Sequence, residues 1–187
     1  MTSTDTSQST IAIRLPTTRP PDTEGAPAFT LDAPIAGKVV GLRTDLAWRS
    51  WKLIASKWAE KIHAAGATTL EIETGAQVGK EGHDDRVTVN EWSEQVDFGI
   101  VGLGTCGSCT SFSVYDAVTL EDHEKPSLVV VCSEFETHAR NMARFIGHSN
   151  LKVLVLPYPL EALPEDELLQ IAEEYYPQAL DLLGVQA

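Results

Sequence analysis

Two cysteines with two residues between them, Cys106 and Cys109, stand in the run Gly102-Leu103-Gly104-Thr105-Cys106-Gly107-Ser108-Cys109-Thr110-Ser111. At that spacing the sulfurs can close a small disulfide, or one can attack a substrate and the other resolve the mixed disulfide. An apolar run precedes the motif and a helix-length segment follows it, so the pair falls where a strand turns into a helix. Backbone N–H groups there lack intrahelical partners, and the helix end acts like about half a positive charge. In such settings thiol pKa values fall from about 8.5 to roughly 3.5–7.5, which makes a thiolate the expected reactive species. Gly102, Gly104 and Gly107 let the backbone approach a ligand or take positive φ, while Thr105, Ser108, Thr110 and Ser111 offer hydroxyls for capping and substrate contact. Cys106, the outer cysteine, is the expected attacking residue and Cys109 the resolving one.

Three other fates for the pair weigh less. Half of a zinc site needs a second pair, and only Cys132 and scattered histidines remain, so no metal is expected. A phosphate-cradling loop needs a dinucleotide fingerprint or a P-loop lysine; neither is present, and no cofactor is expected. Free cysteine is often a small buried hydrophobe, but two in a turn rich in Gly, Ser and Thr argue against that.

The elements that position the motif follow from patterning. Lys38–Leu42 reads as a first strand, Leu46–Ala65 as a helix and Thr68–Thr74 as a second strand. A Gly-containing loop, Gly75–Asp85, and a short helix, Thr88–Val96, come next. Phe98–Leu103 is the third strand, Ser111–Glu124 its helix, Ser127–Cys132 the fourth strand, Glu134–Ile146 its helix and Leu151–Leu156 the fifth strand. A last helix begins at Pro164, with Pro177 as the place for a kink or restart. Near-continuous Val, Ile and Leu in four of the strands imply a parallel sheet covered on both faces. The expected fold is therefore a doubly wound α/β domain, Rossmann-like or flavodoxin-like: a three-layer sandwich of about five parallel strands. In the order 2-1-3-4-5 the crevice at the topological switch is flanked by Arg43-Thr44-Asp45 and by Gly104–Cys109.

Composition bounds the partners. The chain has 187 residues, 43% hydrophobic and 22% charged, enough for a single core without disulfide scaffolding. A formal charge of -13 repels phosphate backbones and anionic surfaces, which argues against nucleic acid or membrane and for a small-molecule substrate. The longest apolar runs fall far short of the roughly 20 residues that span a bilayer. Met1–Thr10 lacks the basic opening and apolar centre of a secretory signal, so the cytoplasm is the expected compartment, with free thiols and with a thiol reductant as a partner. Residues 1–35, with Pro16, Pro20, Pro21, Pro27 and Pro34, read as a flexible tail, and 36–187 as one α/β domain.

Beyond these patterns, Val101–Ser111, Asp116-Ala117-Val118 and the Ser133-Glu134-Phe135 turn resemble the UGSC family, small bacterial proteins with a Sec-Gly-Ser-Cys or Cys-Gly-Ser-Cys signature. The resemblance runs over about Gly37–Leu160. Selenocysteine or cysteine at the first motif position implies that Cys106 is a nucleophile or redox centre, with thiol-disulfide or reductase-type activity; no substrate follows from it.

Further candidates surround the motif. Thr44 and Asp45 could orient a substrate or act as a base, or cap the following helix. Arg43 could hold a substrate carboxylate. Ser133 and Glu134 follow the fourth strand and could face the crevice; Cys132 beside them reads first as a core thiol. His138 and His83 are candidate proton donors, each with a solvated position as its alternative. His148 belongs at the opposite end of the sheet. Tyr158 could wall the pocket or pack its loop. Trp48, Trp51, Ile54, Trp58 and Ile62 make a helical stripe that reads as core, with a homodimer face as the sharper idea. The expected function is a cysteine-dependent enzyme using the motif for thiol-disulfide or reductase-type chemistry on a small molecule. The alternatives are a non-redox cysteine-nucleophile lyase or transferase, and a non-catalytic subunit that binds a partner through the tail or the first helix.

Overall fold

The computed structural model describes residues 29–75 and 78–186. Five parallel strands form one sheet: β1 (Val39–Asp45), β2 (Thr68–Thr74), β3 (Phe98–Gly104), β4 (Ser127–Cys132) and β5 (Lys152–Leu156), in the spatial order β2-β1-β3-β4-β5. This is the expected order, and it makes the fold a doubly wound α/β sandwich. The central strands β3 and β4 are buried along their whole length, which is why their sequences are continuously apolar or glycine. Edge strand β2 alternates instead, with Glu71 and Glu73 facing solvent.

Two layers of helix cover the sheet. One face carries α1 (Arg49–Ala64) and α5 (Glu165–Leu183), the other α2 (Gly79–Gln95), α3 (Gly107–Asp122) and α4 (Glu136–Phe145). The α1 stripe is core: Trp51, Ile54, Trp58 and Ile62 are sealed against the sheet and α5, Trp51 and Trp58 meet edge to face at 5.5 Å, and Trp58 Nε1 donates to the Ala172 carbonyl at 2.8 Å. The aromatic stripe on which a dimer face was expected is thus used inside the protomer.

Several boundaries move for local reasons. β1 runs on to Asp45 because Arg43, Thr44 and Asp45 pair in register with Ile72, Glu73 and Thr74. α1 starts at Arg49 because Asp45 Oδ1 accepts the N–H groups of Ala47 (2.8 Å) and Trp48 (3.0 Å), closing a turn first. α2 starts at Gly79 and absorbs most of the expected loop; its opening, Gly79-Lys80-Glu81-Gly82-His83, shows little helical periodicity because Gly82, Val89, Trp92 and Ser93 are all that the helix buries. α3 starts at Gly107, inside the cysteine motif. α5 passes through Pro177 as one helix, and Gly184 ends it in the left-handed region.

Residues 1–28 of the expected tail lie outside the described residues. Its remainder docks: Leu31 N–H donates to the Leu183 carbonyl at 2.8 Å, Ala33–Pro34 pairs with Val185–Gln186, and Ile35 enters the core. Residues 29–35 therefore pack as part of the folded unit, held by the end of α5.

Candidate active site

β3 ends at Gly104 and α3 begins at Gly107, so Cys106 is the helix cap and Cys109 sits in the first turn. The two sulfurs are joined in a disulfide, with the α-carbons 5.2 Å apart. Both cysteines are half-buried, and Gly107 and Ser108 between them are exposed. The Cys109 N–H donates to Cys106 Sγ at 3.1 Å, a sulfur version of the capping bond that Ser or Asp makes to a helix N-terminus. Ser108 Oγ lies 3.5 Å from the same sulfur.

Glycine makes this turn possible at Gly104. A methyl group there would stand 2.7 Å from Val131 Cγ1 and 3.2 Å from the Thr110 α-carbon, so α3 seats on the sheet only because Gly104 has no side chain. Gly104 is thus a packing residue rather than a substrate contact. Thr110 is corrected likewise: it is buried, and its hydroxyl donates to the Cys106 carbonyl at 2.6 Å. Thr105 turns toward Cys132, which is sealed in the core. Burial pushes the Cys132 thiol up, against hydrogen bonds from Thr105 and the Leu160 backbone. That thiol stays protonated.

Arg43 is fully buried and its partners are internal. Its Nε lies 2.8 Å from both Asp116 Oδ2 and Thr74 Oγ1, and its Nη1 donates to the Gly102 carbonyl at 2.8 Å. The carboxylate that Arg43 holds is therefore Asp116 of α3, not a substrate's. One side chain ties β1, β2, β3 and α3 together directly behind the motif. Asp116 is buried on α3 together with Thr110, Ser113 and Glu121, and its partner Arg43 is far away in the chain.

Beside the disulfide a cavity of about 340 Å³ opens at the carboxyl ends of β1 and β2, with Asp45, Trp48, Glu81, Cys109 and Phe112 in its walls and Arg43 also reaching it. This is the topological switch of the sheet. Asp45 and Cys109 meet there; Thr44 does not, because it points to the other face with its hydroxyl 3.5 Å from the Ile72 carbonyl. Ser133 and Glu134 are exposed in a short 3-10 turn after β4, outside the walls of this cavity. Glu81 and Phe112 were missed by sequence reasoning, Glu81 because its helix was taken for a loop. A larger cavity of about 580 Å³, between α2 and α3, has neither cysteine in its walls.

His138 of α4 does reach the motif turn. Its Nε2 lies 3.0 Å from Ser111 Oγ and 3.1 Å from the Gly107 carbonyl, which can only accept, so Nε2 carries a proton. His83 is exposed on α2. His148 sits at the far end of the sheet, with Nδ1 2.8 Å from Glu121 Oε2. Tyr158 is half-exposed and packs against Phe135, ring centroids 6.2 Å apart. Among the described residues, no three His, Cys, Asp or Glu side chains are grouped to hold a metal, and no helix is long and apolar enough to cross a membrane.

The chain belongs to the UGSC family, whose sequence model matches residues 12–185. No curated protein matches it. Among solved structures the chain is similar to a flavone reductase, at 13% identity and a TM-score of 0.41, over 80% of this chain and 65% of that one. The chain therefore spans just under two thirds of that protein's length. The fold rests on the sheet order above, not on this likeness.

Proposed function

We propose that this UGSC-family chain is a thiol-dependent enzyme that reduces a small disulfide through Cys106 and Cys109. One observation carries the reading: the two sulfurs lie within bonding distance on the first turn of a helix, half-exposed, with Cys109 in the wall of a cavity at the switch point. In the reduced protein the Cys106 thiolate attacks one sulfur of a substrate R–S–S–R′. The Cys106–S–S–R bond forms, the substrate S–S bond breaks, and R′S⁻ leaves and takes a proton. Cys109, as thiolate, then attacks Cys106 Sγ; RS⁻ leaves and takes a proton, and the internal disulfide remains. Two electrons have passed to the substrate, and a dithiol reductant returns them. The N–H of Cys109 favours Cys106 as the attacker, because a charged acceptor strengthens that hydrogen bond. A reducing compartment such as the cytoplasm suits the cycle.

The test is turnover of a small disulfide with a dithiol reductant, with adducts read by mass spectrometry. Cys106→Ser is expected to lose on the order of 10³-fold or more in rate, as when a nucleophile is removed. Cys109→Ser is expected to accumulate the mixed disulfide on Cys106. Undiminished turnover by Cys106→Ser ends the proposal.

A non-redox reading, with Cys106 as covalent nucleophile and no disulfide cycle, draws on the Asp45 carboxylate, which lines the cavity beside the joined cysteine pair and could move a proton. Activity that ignores reductants and survives Cys109→Ser selects it.

A further inference from the structure

The cavity beside Cys109 holds an unused acceptor. Asp45 is only 8% exposed; its Oδ1 takes two backbone N–H groups, while Oδ2 is buried with no hydrogen-bond partner. A buried carboxylate oxygen is costly until a donor meets it, so this cavity is short of a donor. The surrounding charges say which kind. Arg43 is the cation among the described lining residues, and Asp116 already balances it. Asp45 and Glu81 then leave the cavity with surplus negative charge, in a chain whose formal net charge is -13. Leu46, Trp48 and Phe112 add apolar wall for a short methylene chain.

We propose that the cavity binds the ammonium group of a small cationic substrate, with the Asp45 carboxylate in its wall as the acceptor and Glu81 adding charge from α2. The substrate class is then an amino-bearing disulfide, in preference to a neutral or an anionic one. That the ligand is a disulfide rests on the proposed function; that it is cationic rests on Asp45 and Glu81 alone.

The experiment separates the two. Calorimetric titration of the oxidised full chain, which cannot exchange through the motif, uses three probes of similar shape: cystamine, bis(2-hydroxyethyl) disulfide and 3,3′-dithiodipropionate. Cystamine is expected to bind at least about fivefold tighter than the neutral probe, with the anionic one weakest, and the preference should shrink as salt rises. Asp45→Asn keeps the oxygen that closes the turn and is expected to weaken cystamine about tenfold, and Glu81→Gln about two- to threefold. Equal affinity for the neutral probe, or a folded Asp45→Asn protein with unchanged cystamine affinity, overturns the inference. Should Asp45→Asn fail to fold, insensitivity to both Glu81→Gln and salt overturns it instead. The reduced protein is then mixed with the same probes, with rates normalised to those of dithiothreitol. Asp45-dependent binding without exchange counts against the proposed function alone, whereas exchange with no preference for cystamine counts against the cationic substrate alone.

Discussion

Asp116 and Glu121 lie on the same helix, both nearly sealed from water, and each faces a basic side chain brought from elsewhere in the chain. Asp116 meets Arg43, whose guanidinium offers a rigid fork of donors and is held further by Thr74 and the Gly102 carbonyl. Glu121, in the last turn of α3, meets His148, which is 22% exposed. Asp116, in the second half of α3, is anchored by a guanidinium that is itself sealed in the core, and Glu121, in the last turn, by a partly exposed imidazole. The pair that also reaches β3 beside the motif is thus shut off from water in a way the pair at the opposite edge is not.

Removing Arg43 is the harshest trial of this contrast. Arg43→Met strands the Asp116 carboxylate in the core and is expected to cost about 3–5 kcal/mol, read as a lower urea midpoint with an unchanged slope. Losses after His148→Gln that equal those of Arg43→Met would erase the distinction between the two pairs. Gly104→Ala comes next. Its methyl would press on Val131 and Thr110, with an expected cost of about 1–3 kcal/mol and a faster alkylation of the reduced cysteines as the first turn of α3 is displaced.

The smallest effect is the dependence on pH at the far end. Burial holds the Glu121 carboxyl above its ordinary value of 4.5, with the hydrogen bond and charge of His148 acting the other way. The folded state therefore binds this proton more tightly than the unfolded one. The stability this contributes is full below about 4.5 and is lost as pH rises through the folded value. Wild-type stability relative to Glu121→Gln should decline as pH rises above that point, measured by thermal unfolding across the range. A difference that grows with pH would reverse the sign assigned to burial.

Much of the sandwich was legible because apolar runs announce buried strands: Phe98–Gly104 and Ser127–Cys132 contain almost nothing else. The cysteine turn was legible for a local reason, since strand, glycines and helix adjoin in sequence. What escaped is non-local or polar. Nothing near Arg43 in the chain announces Asp116, and the polar start of α2 hid Glu81 in an apparent loop. Thr44 was misjudged because β1 continues through polar residues, and its alternation sends Arg43 and Asp45 to the cavity but Thr44 away from it.

Gly107 differs from Gly104 in one respect that bears on which molecules can reach the sulfurs. Beyond its own turn of helix, nothing among the described residues lies within 4 Å of where its Cβ would stand, so the fold has room for a side chain there. With Gly107 and Ser108 both exposed, the backbone between the two cysteines is open to solvent, opposite in character to the walled side by Asp45.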